Sequence, residues 1–103
     1  MTTIVVLFNL KPETAVAEYE DWAKSVDLPT VRRLPGCAGF DVLATQGLLN
    51  GDPDAPYRYV ELIQIDDMDA FRGAVSTPEM QAIAAQFQGY AMDPVFMVTE
   101  SVE

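Results

Sequence analysis

Glu61 is the side chain of this sequence best placed to do chemistry. It stands in the run Tyr57–Ile65 (YRYVELIQI), whose β-branched and aromatic residues predict a strand, with Pro56 before it and the acidic Asp66-Asp67 after it. At a period of two, Tyr57, Tyr59, Glu61, Ile63 and Ile65 share one face, and Arg58, Val60, Leu62 and Gln64 share the other. Both faces are mostly apolar, so the strand reads as central and covered on both sides. A carboxylate buried there has its pKa raised and can serve as a general acid or base. It can equally be half of a structural ion pair, which also perturbs carboxylates.

Four other positions carry a chemical and a structural reading side by side. Asp27, in Asp27-Leu28-Pro29-Thr30, suits a helix cap or a second pocket carboxylate. Arg32, adjacent to Arg33, is a solvated cation or a bidentate clamp for an anion or carbonyl oxygen. Trp22 supplies core burial or a ligand contact. Asn9 closes the turn at Lys11-Pro12 or lines a pocket. Cys37 is a weak nucleophile candidate, because no histidine is present to activate it.

The absence of histidine excludes more than any motif present. Ser-His and Cys-His nucleophile pairs are out, as are histidine-ligated zinc, iron and copper sites. No metal site is expected. No GxGxxG or P-loop spacing supports nucleotide binding. Sixteen acidic against six basic residues give a net charge of −10, which repels phosphate backbones and anionic lipid, so neither nucleic acid nor membrane is an expected partner. The longest apolar run, Ile4–Phe8, is far short of the ~20 residues of a membrane span. A single cysteine allows no internal disulfide, and with no signal-peptide pattern at the N-terminus the expected location is the cytoplasm.

The elements that must position these side chains follow along the chain. At 103 residues, half of them hydrophobic, the chain is read as a single domain over 1–103. Thr3–Leu10 predicts a strand apolar on both faces. A helix from a Thr14 cap to about Ser25 buries Val16, Tyr19, Ala23 and Val26, with Trp22 beside the stripe and Glu18, Asp21 and Lys24 in water. Asp27 and Pro29 then start a second, short helix carrying Val31 to Leu34. After the turn Pro35-Gly36 comes a strand over Ala38–Thr45, then the loop Leu48–Pro56, then the Glu61 strand. Asp67 caps the next helix, and Ser76-Thr77-Pro78-Glu79 reads as a break followed by a freshly capped helix to Gly89. Asp93-Pro94 turns the chain into a last strand, Val95–Thr99.

The order β-α-β-β-α-β is the ferredoxin-like pattern. It predicts an α+β fold: a four-stranded antiparallel sheet with strands one and three central and the helices on one face. Strands apolar on both sides then leave an uncovered apolar face, which predicts a homodimer packed sheet against sheet.

The stretches Ile4–Lys11, Tyr19–Ala23, Asp27–Arg32, Tyr59–Glu61, Asp67–Phe71, Thr77–Gln81 and Asp93–Phe96 resemble the RedY-like (HapK-like) family of the dimeric α+β barrel superfamily. The resemblance covers nearly the whole chain. It implies a link to prodigiosin-type tripyrrole biosynthesis and a ligand cleft between helices and sheet, without a cofactor. Many related barrels use a histidine near the segment Val26–Pro29, where this chain carries Asp27. On that footing Glu61 and Asp27 are the candidate catalytic residues, and Asn9, Tyr19, Trp22, Arg32 and Tyr59 the candidate ligand contacts. The expected ligand is a small aromatic or heteroaromatic, pyrrole-like metabolite. The alternatives are a cofactor-independent oxygenase of the antibiotic-biosynthesis monooxygenase type, contacting its substrate through Asn9, Trp22 and Arg32, and a non-catalytic carrier of a reactive intermediate.

Overall fold

The computed structural model covers residues 1–103. Its elements are β1 (Thr2–Leu10), α1 (Val16–Trp22), a π-helical turn (Ala23–Asp27), α2 (Leu28–Arg32), β2 (Cys37–Ala44), β3 (Tyr59–Ile65), α3 (Met68–Val75), α4 (Pro78–Tyr90) and β4 (Ala91–Glu100). The strands pair antiparallel in the order β2-β3-β1-β4, so β1 and β3 are central, as the ferredoxin-like connections require.

Alternation along β1 sends Val6 and Phe8 under the helices, where both are fully buried. The register places Val6 and Val42 beside Glu61, and Phe8 and Ala44 beside Tyr59. Glu61 and Tyr59 therefore point to the helix side. Phe8 stacks on Tyr59 with ring centroids 5.4 Å apart and meets Tyr19 and Phe87 edge-on at 5.5 and 4.9 Å. This aromatic knot fixes the sheet against α1 and α4.

The helix break at Ser76–Pro78 is present. The Asp67 carboxylate accepts from the Ala70 amide at 3.0 Å to start α3, and the Thr77 hydroxyl accepts from Met80 at 3.3 Å to start α4. Gly36 in the turn before β2 has φ +84°, and a Cβ there would overlap the Asp67 carbonyl oxygen. Only glycine fits.

Several expectations are corrected. Thr14 is not a cap: Ala15 occupies that position without a side-chain bond, and Val16 is exposed rather than on the buried stripe. Asp27 does not begin a new helix either. The chain stays helical from Val16 to Arg32, and Asp27 itself has helical dihedrals and caps nothing. Asp93-Pro94 does not turn the chain into a strand. It forms a bulge inside β4, with Asp93 at φ +46° and a register shift opposite Leu7 and Asn9. Asn9 does not close the turn at Lys11. Its amide donates to the Pro56 carbonyl at 3.0 Å and accepts from the Arg58 amide at 2.8 Å, tying the end of β1 to the entry of β3.

The other sheet face carries Val5, Leu7, Val60 and Leu62, with Leu43, Val95 and Met97 exposed on the outer strands. No helix covers it, and no helix in the chain is long and apolar enough to cross a membrane.

Candidate functional site

Between the helices and the sheet lies a cavity of about 220 Å³, lined mainly by apolar side chains including Phe40, Phe71, Ile83, Phe87 and Phe96. Two carboxylates open into it, Glu61 from β3 and Asp27 from the end of the π-helical turn. They are 4% and 6% exposed. Asp27 arrives there through helix geometry. Tyr19, Ala23, Asp27 and Val31, each four residues from the last, are all buried. In an α-helix a four-residue step drifts by ~40°, so such a line would wind out into water. The wider π-turn over Ala23–Asp27 takes up that drift and holds Asp27 inward.

No cation meets either carboxylate. The ion pairs of the chain are Arg32 with Asp41 and the N-terminus with Glu100, both on the surface. The ion-pair reading of Glu61 is thereby overturned. Glu61 Oε2 accepts from the Tyr19 hydroxyl at 3.5 Å, the long end of hydrogen-bond range. Asp27 accepts no hydrogen bond from its own helix end, and no fully enclosed polar side-chain atom lacks a partner, so its oxygens face the open space of the cavity.

Burial pushes the Asp27 carboxyl up to about 6. Glu61 is pushed up to about 8, by burial first and then by the negative charge of Asp27, with the Tyr19 hydrogen bond pulling slightly the other way. The Tyr19 phenol is raised by its own burial and by both carboxylates. Burial raises both carboxyls, and the Asp27 charge raises Glu61 further, so of the two Glu61 holds its proton the more tightly.

The remaining sequence candidates divide. Tyr19 belongs to the carboxylate cluster through its hydroxyl. Tyr59 and Tyr19 also wall a separate hollow of about 100 Å³ that contains neither carboxylate, and the Tyr59 hydroxyl donates to Glu20 at 2.7 Å. Trp22 is core: its ring packs on Tyr19 and Tyr90, and its indole N–H donates to Gln86 at 2.6 Å. Arg32 is half exposed, donating to the Phe40 carbonyl at 3.0 Å and pairing with Asp41 at 3.7 Å, outside the cavity lining. Asn9 lies at the opposite end of β1 from Ile4, the β1 residue of the lining. Phe40, Phe71, Phe87 and Phe96 line the cavity without having been singled out, since their apolar periodicity is that of ordinary core, and Gln88 lines it with no sequence signal to mark it. No cluster of three or more histidine, cysteine or acidic side chains is arranged to hold a metal ion.

A ferredoxin-like sheet roofed by helices, with two buried carboxylates between the layers, defines a small α+β protein with an apolar cavity between helices and sheet. The chain belongs to the REDY-like protein HapK family, which it matches over residues 2–102. Among solved structures it is similar to HapK from Hahella chejuensis, with 29% identity over 99% of this chain and 93% of that one and a TM-score of 0.77. It shares its fold with SnoaB, a cofactor-independent oxygenase from Streptomyces nogalater, at 22% identity, 99% and 93% coverage and a TM-score of 0.78. It shares it also with a dimeric ferredoxin-like protein from Thermobifida fusca, at 18% identity, 97% and 90% coverage and a TM-score of 0.73. No curated protein sequence matches the chain.

Proposed function

We propose that the chain binds a small aromatic or heteroaromatic, pyrrole-like metabolite in the 220 Å³ cavity and moves protons on it with Asp27 and Glu61, without a cofactor. The observation that carries this reading is the pair of buried carboxylates that no cation compensates. Uncompensated burial costs the fold several kcal/mol per ion, which a purely structural core avoids. Ionised Asp27 takes a proton from a ligand C–H, N–H or O–H. Protonated Glu61 gives one to a ligand oxygen or nitrogen on which charge builds, and Tyr19 holds the Glu61 carboxyl in place. Membership of the REDY-like family supports a role in secondary metabolism, and the resemblance points to the prodigiosin type. The lone cysteine fits a reducing cytoplasm.

The cofactor-independent oxygenase reading draws on the fold shared with SnoaB. Its three expected contacts, Asn9, Trp22 and Arg32, are all engaged elsewhere, so proton transfer leads. Incubation with a metabolite extract followed by native mass spectrometry tests the site. The wild type should retain an aromatic ligand, and Ile83→Trp, which fills the cavity, should retain none. Equal retention by both proteins contradicts the site. Conversion of the recovered ligand without oxygen supports proton transfer, oxygen consumption supports the oxygenase, and return of the ligand unchanged supports the carrier.

The working unit is proposed to be a homodimer in which the bare sheet faces pack together. The apolar face of Val5, Leu7, Val60 and Leu62 is too continuous to be left in water, and a stable contact buries more than ~1,000 Å². Analytical ultracentrifugation should show a dimer at micromolar concentration, and Val5→Asp should split it. A wild type that sediments as a folded monomer contradicts the proposal.

A further inference from the structure

We propose that the cavity selects its ligand by charge: it takes an aromatic nitrogen heterocycle bound as an N–H-bearing cation and rejects carboxylate-bearing relatives of the same ring. This rests on the ligand site proposed above and adds the ligand's charge to it.

The six basic side chains are Lys11, Lys24, Arg32, Arg33, Arg58 and Arg72, and none lines the cavity. Arg32 is held by Phe40 and Asp41, and Arg58 lies 6.0 Å from the centre of the Tyr59 ring. The polar side chains of the lining are Asp27, Glu61 and Gln88. Asp27 is more than nine-tenths buried, has no partner in the protein and faces the cavity. An ionised carboxylate in that position has lost most of its water and gained nothing in return.

A ligand cation with an N–H supplies both the missing charge and a charge-assisted hydrogen bond. A neutral ring with one N–H supplies only the hydrogen bond. An anionic ring meets repulsion that the low dielectric magnifies. Any of the Phe40, Phe71, Phe87 and Phe96 rings that meets the ligand by its face favours a cation again. The net charge of −10 draws cations toward the protein and repels anions before either reaches the cavity.

Three bicyclic probes of similar shape separate the cases by isothermal titration near neutral pH and low salt: 2-aminobenzimidazole as the cation, indole as the neutral donor and indole-2-carboxylate as the anion. The wild-type protein should bind 2-aminobenzimidazole roughly tenfold or more tighter than indole, with no measurable heat from indole-2-carboxylate. Asp27→Asn should bring the cation and indole to about equal affinity. Because this variant removes an uncompensated charge, it should melt no lower than the wild type. The wild-type comparison decides the matter alone if the variant does not fold. Indole or indole-2-carboxylate binding as tightly as the amine overturns charge selection while leaving the ligand site standing. Failure of all three probes to bind overturns the selection and the ligand site together.

Discussion

Glu61→Gln is expected to lower turnover of the cavity's ligand by roughly 10²–10⁴-fold, the usual consequence of losing an acid–base group, while the protein stays folded. The amide matches the carboxyl in shape, and its oxygen can still accept from the Tyr19 hydroxyl, so the local packing has no reason to change. What is lost is a proton that can be given up and taken back. A buried ion pair would behave in the opposite way, because deleting one partner strands the other and costs ~3–5 kcal/mol. No cation faces Glu61, so the variant strands nothing. In alkaline solution, where the wild type must ionise Glu61 inside the core, Glu61→Gln should be the more stable protein. Turnover and thermal melts measured on the same preparations check both halves. Unchanged turnover would remove Glu61 from the chemistry, and a sharply lowered melt would reveal a charged partner.

The second large effect is on stability as a function of pH. Glu61 is raised from an ordinary 4.5 to about 8, and Asp27 from 3.8 to about 6. Between each pair of values the folded chain binds more protons than the unfolded one, so stability falls as pH rises. The contribution is complete below the ordinary values. It is spent once pH has passed 6 for Asp27 and 8 for Glu61. At ~1.4 kcal/mol for each pH unit in these windows, the fold should lose on the order of 3–5 kcal/mol between about pH 5 and 8. That is a large share of the ~5–15 kcal/mol typical of a domain. The double variant Asp27→Asn, Glu61→Gln should show a nearly flat profile over the same range. Parallel wild-type and double-variant profiles would contradict the assignment.

The fold was legible because each signal was local and redundant. The apolar alternation of Thr3–Leu10 and Tyr57–Ile65, the Asp67 cap and the Thr77-Pro78 restart each named an element, and only one ferredoxin-like sheet joins them. The sequence errors fell where tertiary packing overrides local propensity. Asp27 followed by Pro29 has the chemistry of a helix start, yet the π-turn carries the helix through it and turns Asp27 inward. One signal of this was available: Asp27 stands four residues after Ala23 and eight after Tyr19, in line with the buried stripe. Asp93-Pro94 likewise has turn chemistry but is absorbed as a bulge, because β4 is held on β1 from both sides of it. The site was half legible. Glu61 stood out as a carboxylate in an apolar strand, whereas the phenylalanines around it carry no mark that separates a cavity wall from a core. Arg32 and Asn9 drew attention by type, but type does not report direction, and both spend their hydrogen bonds on backbone outside the cavity.

The central claim is that Asp27 and Glu61 share one buried cavity as an uncompensated pair, one ionised and one protonated near neutral pH. Side-chain carboxyl carbon-13 chemical shifts followed by NMR across the pH range test it most directly, with Asp27→Asn and Glu61→Gln used to assign the two signals. The account predicts that one carboxyl titrates near 6 and the other near 8. It also predicts that Asp27→Asn lowers the Glu61 midpoint by removing the neighbouring charge. Two independent titrations near 4, unmoved by either substitution, would contradict it.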